Sequence, residues 1–309
     1  MPYDAVLLIA FGGPTRPEEI RPFLENVTRG RRIPPARLEE VAHHYEHMPG
    51  GRSPLNALTE AQAAALQGAL KTHGIDLPVF VGMRNWHPFL HETLADMAAR
   101  GHRRAIGLIM SALRSEASWD RYRDDVTAAR ARTPAAPDVD FGEPWFAHRG
   151  YLDAVAARAR AALEEVPAVV RARTPMIFTA HSIPVAMADD APYVSELNAI
   201  AHAVAGRVGH RRFSIAYQSR SGAPGDRWLE PDVNEVIRSL AKERETHVVV
   251  VPAGFVCDHV EVLYDLDVEA QATAARAGIT MHRALAVNDH PDFISTLVDV
   301  VRRATAAAG

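Results

Sequence analysis

The stretch THVVVVPAGFVCDHVEVLYDLDVE, residues 246–269, joins the pattern of a buried strand to the start of a helix. It contains four consecutive valines, 248–251, and a short run of β-branched residues is typical of a strand buried on both faces. After a turn the pattern becomes helical. Glu261, Asp265 and Glu269 are four residues apart, which predicts three carboxylates along one helix face. Such a face either is solvated or relays cations or protons, and the spacing leaves both interpretations open.

A second strand pattern, residues 176–178, leads into Thr-Ala-His-Ser-Ile-Pro at 179–184 and places His181 at the end of a strand. In open parallel sheets, ligands bind outside the carboxyl ends of the strands. We therefore expect His181 and Glu261 to share one crevice. A neutral imidazole facing a carboxylate suits a divalent cation or a proton exchange. A structural histidine and a helix-surface acid are the plainer alternatives.

The composition is that of a globular protein large enough for two domains. The chain has 309 residues, of which 48% are hydrophobic and 23% charged, and its formal net charge of −4 argues against nonspecific nucleic-acid binding. No apolar run has the length of a membrane span and no signal peptide pattern is present, so we expect a cytoplasmic protein. The single cysteine, Cys257, excludes an internal disulfide and any zinc or iron–sulfur site built from cysteines of one chain.

Strand and helix patterns alternate in two successive runs. The predicted strands are 3–10, 77–83, 105–111 and 139–141 in the first run, and 176–180, 213–218, 247–251 and 280–283 in the second. This alternation predicts an α/β protein with two Rossmann-like lobes, each a parallel sheet flanked by helices. We place the N-terminal lobe at 1–146 and the C-terminal lobe, with the His/Glu pair, at 147–309. A dinucleotide site is excluded, because the Gly12-Gly13 pair lacks a third glycine and precedes a proline.

Two capping boxes predict helix starts in the N-terminal lobe. Thr15 with Glu18 predicts a helix that runs to Asn26, and Thr59 with Gln62 predicts another that runs to residue 72. In each pair the hydroxyl and the longer polar side chain satisfy amide groups in the first helical turn.

Several motifs resemble those of ferrochelatases, and they are ordered along nearly the whole chain. They are AFGGPTRPEEIRPFLENVTRGRRIP at 10–34, GGRSPLN at 50–56, MRNWHPF at 83–89, TAHSIP at 179–184, RWLEPDV at 227–233 and PAGFVCDHVEVLYDLD at 252–267. Within that family, the motifs are similar to those of the bacterial coproporphyrin III ferrochelatases. The resemblance implies two Rossmann-like lobes with a porphyrin cleft between them, and insertion of ferrous iron into coproporphyrin III to form coproheme.

The resemblance also implies roles for the acidic and histidine residues. His181 matches the base and metal ligand, Glu261 its carboxylate partner, and Asp265 and Glu269 a subsidiary metal site. Iron is a substrate here, so no permanently bound cofactor is expected. Many actinobacterial relatives carry a cysteine-bound iron–sulfur cluster, which a chain whose one cysteine is Cys257 cannot ligate in that way.

Substrate contacts follow from the same motif matches. Ser53 and Tyr122 match positions that contact the porphyrin carboxylates, and Tyr45 lies in a matching segment. Arg29 and Arg31 stand on a basic run that suits carboxylate recognition.

One position and one loop depart from the family pattern. Phe11 occupies a position where some relatives have a tyrosine that binds the inserted iron, and a phenylalanine ring there is limited to packing against the porphyrin face. Loop 113–119 also differs, and Arg114 within it is a further expected contact to a propionate.

Two other functions remain as alternatives. One is a related chelatase that inserts another metal, such as cobalt, into a different tetrapyrrole. The other is a noncatalytic tetrapyrrole or metal carrier. The resemblance further implies transient contact with a coproheme decarboxylase that receives the product, and we expect a monomer.

Overall fold

The computed structural model describes residues 3–30, 34–221 and 225–308, and within them the strands form two four-stranded parallel sheets. The first sheet contains β1 (Ala5–Ala10), β2 (Val79–Met83), β3 (Arg104–Ile109) and β4 (Asp138–Phe141), and the second contains β5 (Met176–His181), β6 (Phe213–Gln218), β7 (His247–Val251) and β8 (Thr280–Arg283). The strand orders are β2-β1-β3-β4 and β6-β5-β7-β8, with every pair parallel. The predicted fold class, two Rossmann-like α/β lobes, is confirmed.

Helices connect the strands in both sheets. They are α1 (Ile20–Val27), α2 (Pro35–Glu46), α3 (Leu55–Thr72), α4 (Leu90–Ala99), α5 (Arg121–Ala131), α6 (Arg149–Glu164), α7 (Ala168–Arg171), α8 (Val185–Asp189), α9 (Tyr193–Val208), α10 (Val233–Lys242), α11 (Val260–Val262), α12 (Gln271–Arg276) and α13 (Pro291–Ala307). A 3₁₀ turn at Pro17–Glu19 precedes α1, and π-helical segments at Glu116–Asp120 and Leu263–Ala270 precede α5 and α12. In the part of the chain that the structure describes, no helix is long and apolar enough to cross a membrane.

Apolar side chains on both faces of the central strands explain why the valine- and leucine-rich runs became strands. All six residues of β1 are buried, as are four of the five in β7. In the second sheet, Val248 and Val250 share a core with Ile237 and Leu266. Burial of each such side chain stabilises the fold by about 1.5–3 kcal/mol.

The chain divides into two compact units, and their limits differ from the predicted lobes. The first unit runs to Met110 and adds 119–144 and the residues from Ile294 on, while the second comprises 111–118 and 145–293. Compared with the predicted boundary at 146/147, these limits place 111–118, 145–146 and the residues from Ile294 on in the other unit.

The approach of α13 to the residues that follow β4 explains why the end of the chain belongs to the first unit. A Cβ on Gly142 would stand 2.7 Å from Val300 Cγ1 and 2.8 Å from Leu108 Cδ2, so the glycine lets the helix approach β3. Arg303 also pairs with Glu143 at 2.8 Å. The last helix thus supplies part of the core of the first unit, which a pattern local in sequence does not reveal.

Both predicted helix starts are wrong in detail. The backbone N–H and Oγ1 of Thr15 donate to Glu19 Oε2, at 2.8 and 3.0 Å, so Glu19 takes the place predicted for Glu18. The third helix, α3, begins at Leu55, four residues before Thr59, whose Oγ1 donates to the Leu55 carbonyl at 2.9 Å. Threonine hydroxyls make this i−4 bond inside helices as well as capping them, which is why the pattern misled.

Candidate active site

The second sheet has a topological switch point between β5 and β7, since the chain continues from these two strands to opposite sides. Ligands of open α/β sheets bind at such points, outside the carboxyl ends of the strands. His181 is the last residue of β5, and Glu261 lies in α11, ten residues after the end of β7. The two side chains meet there, with His181 Nε2 3.8 Å from Glu261 Oε1.

Two contacts hold His181, one at its backbone and one at its ring. Its carbonyl accepts a hydrogen bond from the Tyr193 hydroxyl at 2.9 Å. Its Nδ1 contacts the carbonyl oxygen of Ser182, and because a carbonyl only accepts, Nδ1 carries the proton. In the neutral ring the lone pair is then on Nε2, the nitrogen that faces Glu261. This is the arrangement that metal-binding histidines adopt, with the other nitrogen bonded to an oxygen acceptor.

Glu261 is held at the first turn of a helical segment. Its backbone N–H donates to His259 Nδ1 at 3.3 Å, which caps the turn. Burial, assisted by the nearby His181 and opposed by Glu261 and Asp258, lowers the pKa of His259. A lowered pKa keeps the His259 ring neutral near pH 7, and neutrality preserves the lone pair that accepts this bond.

The geometry of the His181–Glu261 pair suits a metal ion better than a direct hydrogen bond, which a separation of 3.8 Å excludes. Two bonds of about 2.1 Å reach roughly 4.2 Å when collinear, so one bent N–M–O bridge spans this gap. The side chains are 28% and 42% exposed, which gives an ion access. Among the described residues no group of three or more His, Cys, Asp or Glu side chains is arranged to hold a metal. An ion bound by this pair keeps open coordination positions for a substrate.

The other two carboxylates predicted on the helix face, Asp265 and Glu269, differ in their exposure to solvent. Asp265 is 8% exposed and accepts a hydrogen bond from Ser219 Oγ, whereas Glu269 is exposed. Both lie in the π-helical segment, which the spacing did not predict and whose i→i+5 bonding gives a wider turn than an α-helix. The interpretation as a uniform solvated face is therefore wrong for Asp265.

In the first unit, three of the predicted substrate-binding residues lie against either Phe23 or Arg84. Phe11 follows β1, is 38% exposed and packs edge-on against Phe23, with ring centroids 6.4 Å apart. Phe23 in turn packs edge-on against the buried Tyr45 at 5.7 Å. The Arg84 guanidinium lies 4.2 Å from the centroid of the buried Tyr122 ring and 6.0 Å from that of Phe11.

Arg84 is the residue that sequence reasoning missed in this unit. It follows β2 directly, is largely buried, and its Nε donates to Asp125 at 2.6 Å. A cation between two aromatic rings is stabilised by their negative faces. The MRNWHPF motif contained Arg84, but nothing in the pattern indicated which rings it meets.

The other residues predicted to contact the substrate differ from one another in burial and in their partners. Ser53 is buried, and its Oγ accepts from the Leu55 N–H at 3.3 Å, while Arg29 is exposed. Arg31 lies outside the described residues. The expected propionate contact of Arg114 is corrected: its backbone N–H and Nε donate to the buried Glu196, at 2.8 and 2.5 Å.

Comparison with known proteins supplies the family. The family model described as Ferrochelatase matches residues 3–305. The chain belongs to the ferrochelatase family. It is 44% identical to a coproporphyrin III ferrochelatase of Nocardia farcinica, with 98% of this chain and 88% of the relative covered. It is 42% identical to one of Mycobacterium avium (97% and 88% covered) and 41% identical to a ferrochelatase of Rhodopirellula baltica (97% and 86%).

Solved chelatases share the fold of this ferrochelatase family member. SirB of Bacillus subtilis with Fe³⁺ aligns with a TM-score of 0.58 at 13% identity, covering 97% of this chain and 94% of that one. CbiX, described as the terminal enzyme for siroheme biosynthesis in denitrifying bacteria, aligns with a TM-score of 0.56 at 14% identity, covering 97% and 99%. At such identities the likeness concerns the fold alone. Membership of the family makes the protein a metal-chelating enzyme.

Proposed function

We propose that the protein inserts Fe²⁺ into coproporphyrin III and releases Fe-coproporphyrin III. The observation that carries the proposal is the His181–Glu261 pair, an imidazole lone pair and a carboxylate 3.8 Å apart at the switch point of the second sheet. The near-full-length relatives named coproporphyrin III ferrochelatase support the choice of porphyrin.

Insertion exchanges two pyrrole protons for one divalent ion, so the site needs a base and a metal ligand. We assign His181 Nε2 as the base, because its lone pair is fixed by the bond from Nδ1 to the Ser182 carbonyl. The Glu261 carboxylate shares the incoming ion with His181 and balances its charge. The flat macrocycle must also bend to present its nitrogens, and binding energy gained elsewhere on the substrate supplies that strain.

Contacts with the four propionates of coproporphyrin supply that binding energy. We propose Ser53, Tyr122 and Arg29, together with Arg31, as carboxylate contacts. Phe11 packs against the face of the macrocycle, and its exposure supports this role because a large apolar side chain at the surface favours an apolar partner. Tyr45 supports Phe11 through the Phe23 ring.

Metal delivery is the proposed role of the two outer carboxylates. Glu269 is exposed to solvent, Asp265 is buried one turn closer, and Glu261 ends the series beside His181. Hard divalent ions favour such oxygen ligands, and an ion would pass from one carboxylate to the next along the helical run.

Iron is a substrate in this proposal, and no resident cofactor takes part. Cys257 supplies one buried thiol, fewer than the four ligands of an iron–sulfur cluster. We further propose that the enzyme acts as a monomer and passes its product in a transient contact to a coproheme decarboxylase.

Anaerobic steady-state assays test the proposal. Fe²⁺, Co²⁺ and Zn²⁺ are each offered with coproporphyrin III and with protoporphyrin, which has two propionates. We expect the largest kcat/KM for Fe²⁺ with coproporphyrin III. Preferred turnover of protoporphyrin would contradict the assigned substrate, preferred cobalt would contradict the assigned metal, and porphyrin binding without turnover would indicate a carrier.

A further inference from the structure

One residue connects the two chain segments that carry His181 and Glu261. Gln218 ends β6 and stands opposite His181 in the sheet register. Its backbone carbonyl accepts from the Ser182 N–H at 2.7 Å. Its side-chain Nε2 donates to the Glu261 carbonyl at 3.0 Å. A displacement of Gln218 therefore acts on both members of the pair.

The next residue makes a second connection to the same helical segment. Ser219 has φ = 65°, a left-handed conformation that is uncommon for residues other than glycine. Its Oγ donates to the Asp265 carboxylate, one turn beyond Glu261. Strained backbone of this kind is retained where the surrounding structure requires it, often at functional sites. We call Gln218 and Ser219 the β6 clamp.

Stability alone does not explain Gln218. The residue is 1% exposed, and its Oε1 has no hydrogen-bond partner among residues 3–30, 34–221 and 225–308. The desolvation of an amide oxygen without a partner opposes folding, and it offsets part of what the bond from Nε2 contributes. The amide is better explained by the bond it makes to Glu261.

We propose that the β6 clamp positions the metal ligands, with Gln218 setting the separation of His181 and Glu261 and Ser219 holding Asp265. This inference rests on the proposed function, because it assigns both residues to the metal site of that reaction. Glu261 lies in the first turn of the continuous helical run 260–276, and the Gln218 side chain bonds that turn to the end of β6. Without the Gln218 donor the turn is released, and ligand distances at metal sites tolerate changes of only about 0.2 Å.

The test compares two glutamines that make the same kind of bond. Gln218→Leu removes the donor to Glu261. The control, Gln271→Leu, removes the bond from Gln271 Nε2 to the Met281 carbonyl, which is 3.1 Å long and lies at the far end of the same helical segment. We expect Gln218→Leu to raise the KM for Fe²⁺ and lower kcat/KM by about 10–100-fold, the usual effect of losing a partner behind a metal ligand. Its thermal midpoint and porphyrin affinity stay close to those of the wild type.

Gln271→Leu should leave the metal kinetics unchanged whatever its effect on thermal stability. Ser219→Gly is a second variant that removes the hydroxyl and the backbone strain together, and we expect a stable protein with a raised KM for Fe²⁺. Wild-type metal kinetics in both clamp variants would overturn the inference. So would equal loss of activity in both glutamine variants in proportion to their loss of stability.

Metal binding without porphyrin separates this inference from the proposed function. Calorimetric titration with Co²⁺ compares the wild type, Gln218→Leu and His181→Ala. We expect affinity to fall about 10–100-fold in Gln218→Leu and binding at this site to disappear in His181→Ala. If the wild type does not metallate coproporphyrin, the proposed function fails, while an unchanged Co²⁺ affinity in Gln218→Leu defeats the clamp.

Discussion

The two sheets have the same strand order, with β1 and β5 in equivalent places, yet the chain that leaves these strands differs completely. In the first unit β1 leads into Phe11, which belongs to an aromatic group with Arg84 nearby. In the second, β5 ends in His181, which faces Glu261. In each sheet, buried apolar runs form the central strands. The residues that follow the ends of those strands determine what the sheet can bind. We infer that the first unit grips the porphyrin and the second performs proton and metal transfer.

His181→Ala is the sharpest test of this division. We expect metal insertion to fall by about 10²–10⁴-fold, because a general base typically contributes that much. Porphyrin affinity, which we assign to residues of the first unit, should be unchanged. Stopped-flow metallation and fluorescence titration of the porphyrin measure the two quantities.

A matched control is His202→Ala, which removes an exposed histidine of α9 whose Nδ1 contacts the Asn198 carbonyl. It should insert metal at the wild-type rate. Near-normal insertion in His181→Ala, or loss of porphyrin binding along with activity, would abolish the proposed separation of roles.

Substitutions in the first unit should show the opposite pattern. Ser53→Ala with Tyr122→Phe removes two hydroxyls proposed to contact propionates. Hydrogen bonds to charged groups contribute about 1.5–3 kcal/mol each, so we expect the KM for coproporphyrin to rise at least about tenfold. The KM for Fe²⁺ should not change.

The same double variant should narrow the preference for coproporphyrin over protoporphyrin, which offers fewer carboxylates. Kinetics with both porphyrins check this. A raised KM for iron, or an unaltered porphyrin preference, would show that other residues contact the propionates.

The loop after β1 should also give the first unit a distinct response to acid. Desolvation raises the pKa of Glu19, but hydrogen bonds from Thr15, Arg16 and Trp86 outweigh it and lower the pKa to about 2. A carboxylate with a depressed folded-state pKa stabilises the fold above its unfolded value, near 4.5. That stabilisation is lost as the pH falls from about 4.5 towards 2.

Glu19→Gln should therefore lower the free energy of unfolding at pH 7 by roughly 1.5 kcal/mol, with a smaller difference from the wild type at pH 3. Urea titrations at both pH values measure this. Equal destabilisation at pH 7 and pH 3 would contradict the ionic contribution of Glu19.

Glu269→Gln is expected to have the smallest effect. If Glu269 receives ions for the His181–Glu261 pair, the KM for Fe²⁺ should rise several-fold with kcat nearly constant, because loss of uniform binding appears in KM. If instead it is a solvated acid, relief of like-charge repulsion raises stability by about 0.2–0.5 kcal/mol and leaves the kinetics alone. Glu164→Gln, at an exposed acid of α6, is the control for a simple change of net charge.

The parts of the fold that were predictable are those encoded locally. The run at 248–251 and the strand before His181 were recognised because burial on both faces selects continuous β-branched and apolar residues. Once both strands were assigned to one parallel sheet, their common edge brought His181 and Glu261 together. The π-helical segment 263–270 was not predicted, because it shares the apolar periodicity of an α-helix over so few residues.

The contacts that support the candidate site were not predictable in this way. Gln218 and Glu261 are 43 residues apart, and Arg114 and Glu196 are 82 apart. Such pairs depend on the packing of whole elements, and a single sequence contains no periodic signal for them. The contacts of polar side chains at the ends of strands are therefore known from the structure and not from the sequence.

The path of α13 has a consequence for how the chain matures. Phe293, near its start, packs against Trp145 and Tyr151 in the second unit, while Val300 fills the space beside Gly142 in the first. During synthesis, N-terminal segments leave the ribosome first and usually fold first. Here the core of the first unit is complete only after α13, the last helix, has been synthesised. Nascent chains stalled before residue 294 should therefore expose apolar surface on β3 and be captured by chaperones, although every strand of both sheets has already been made.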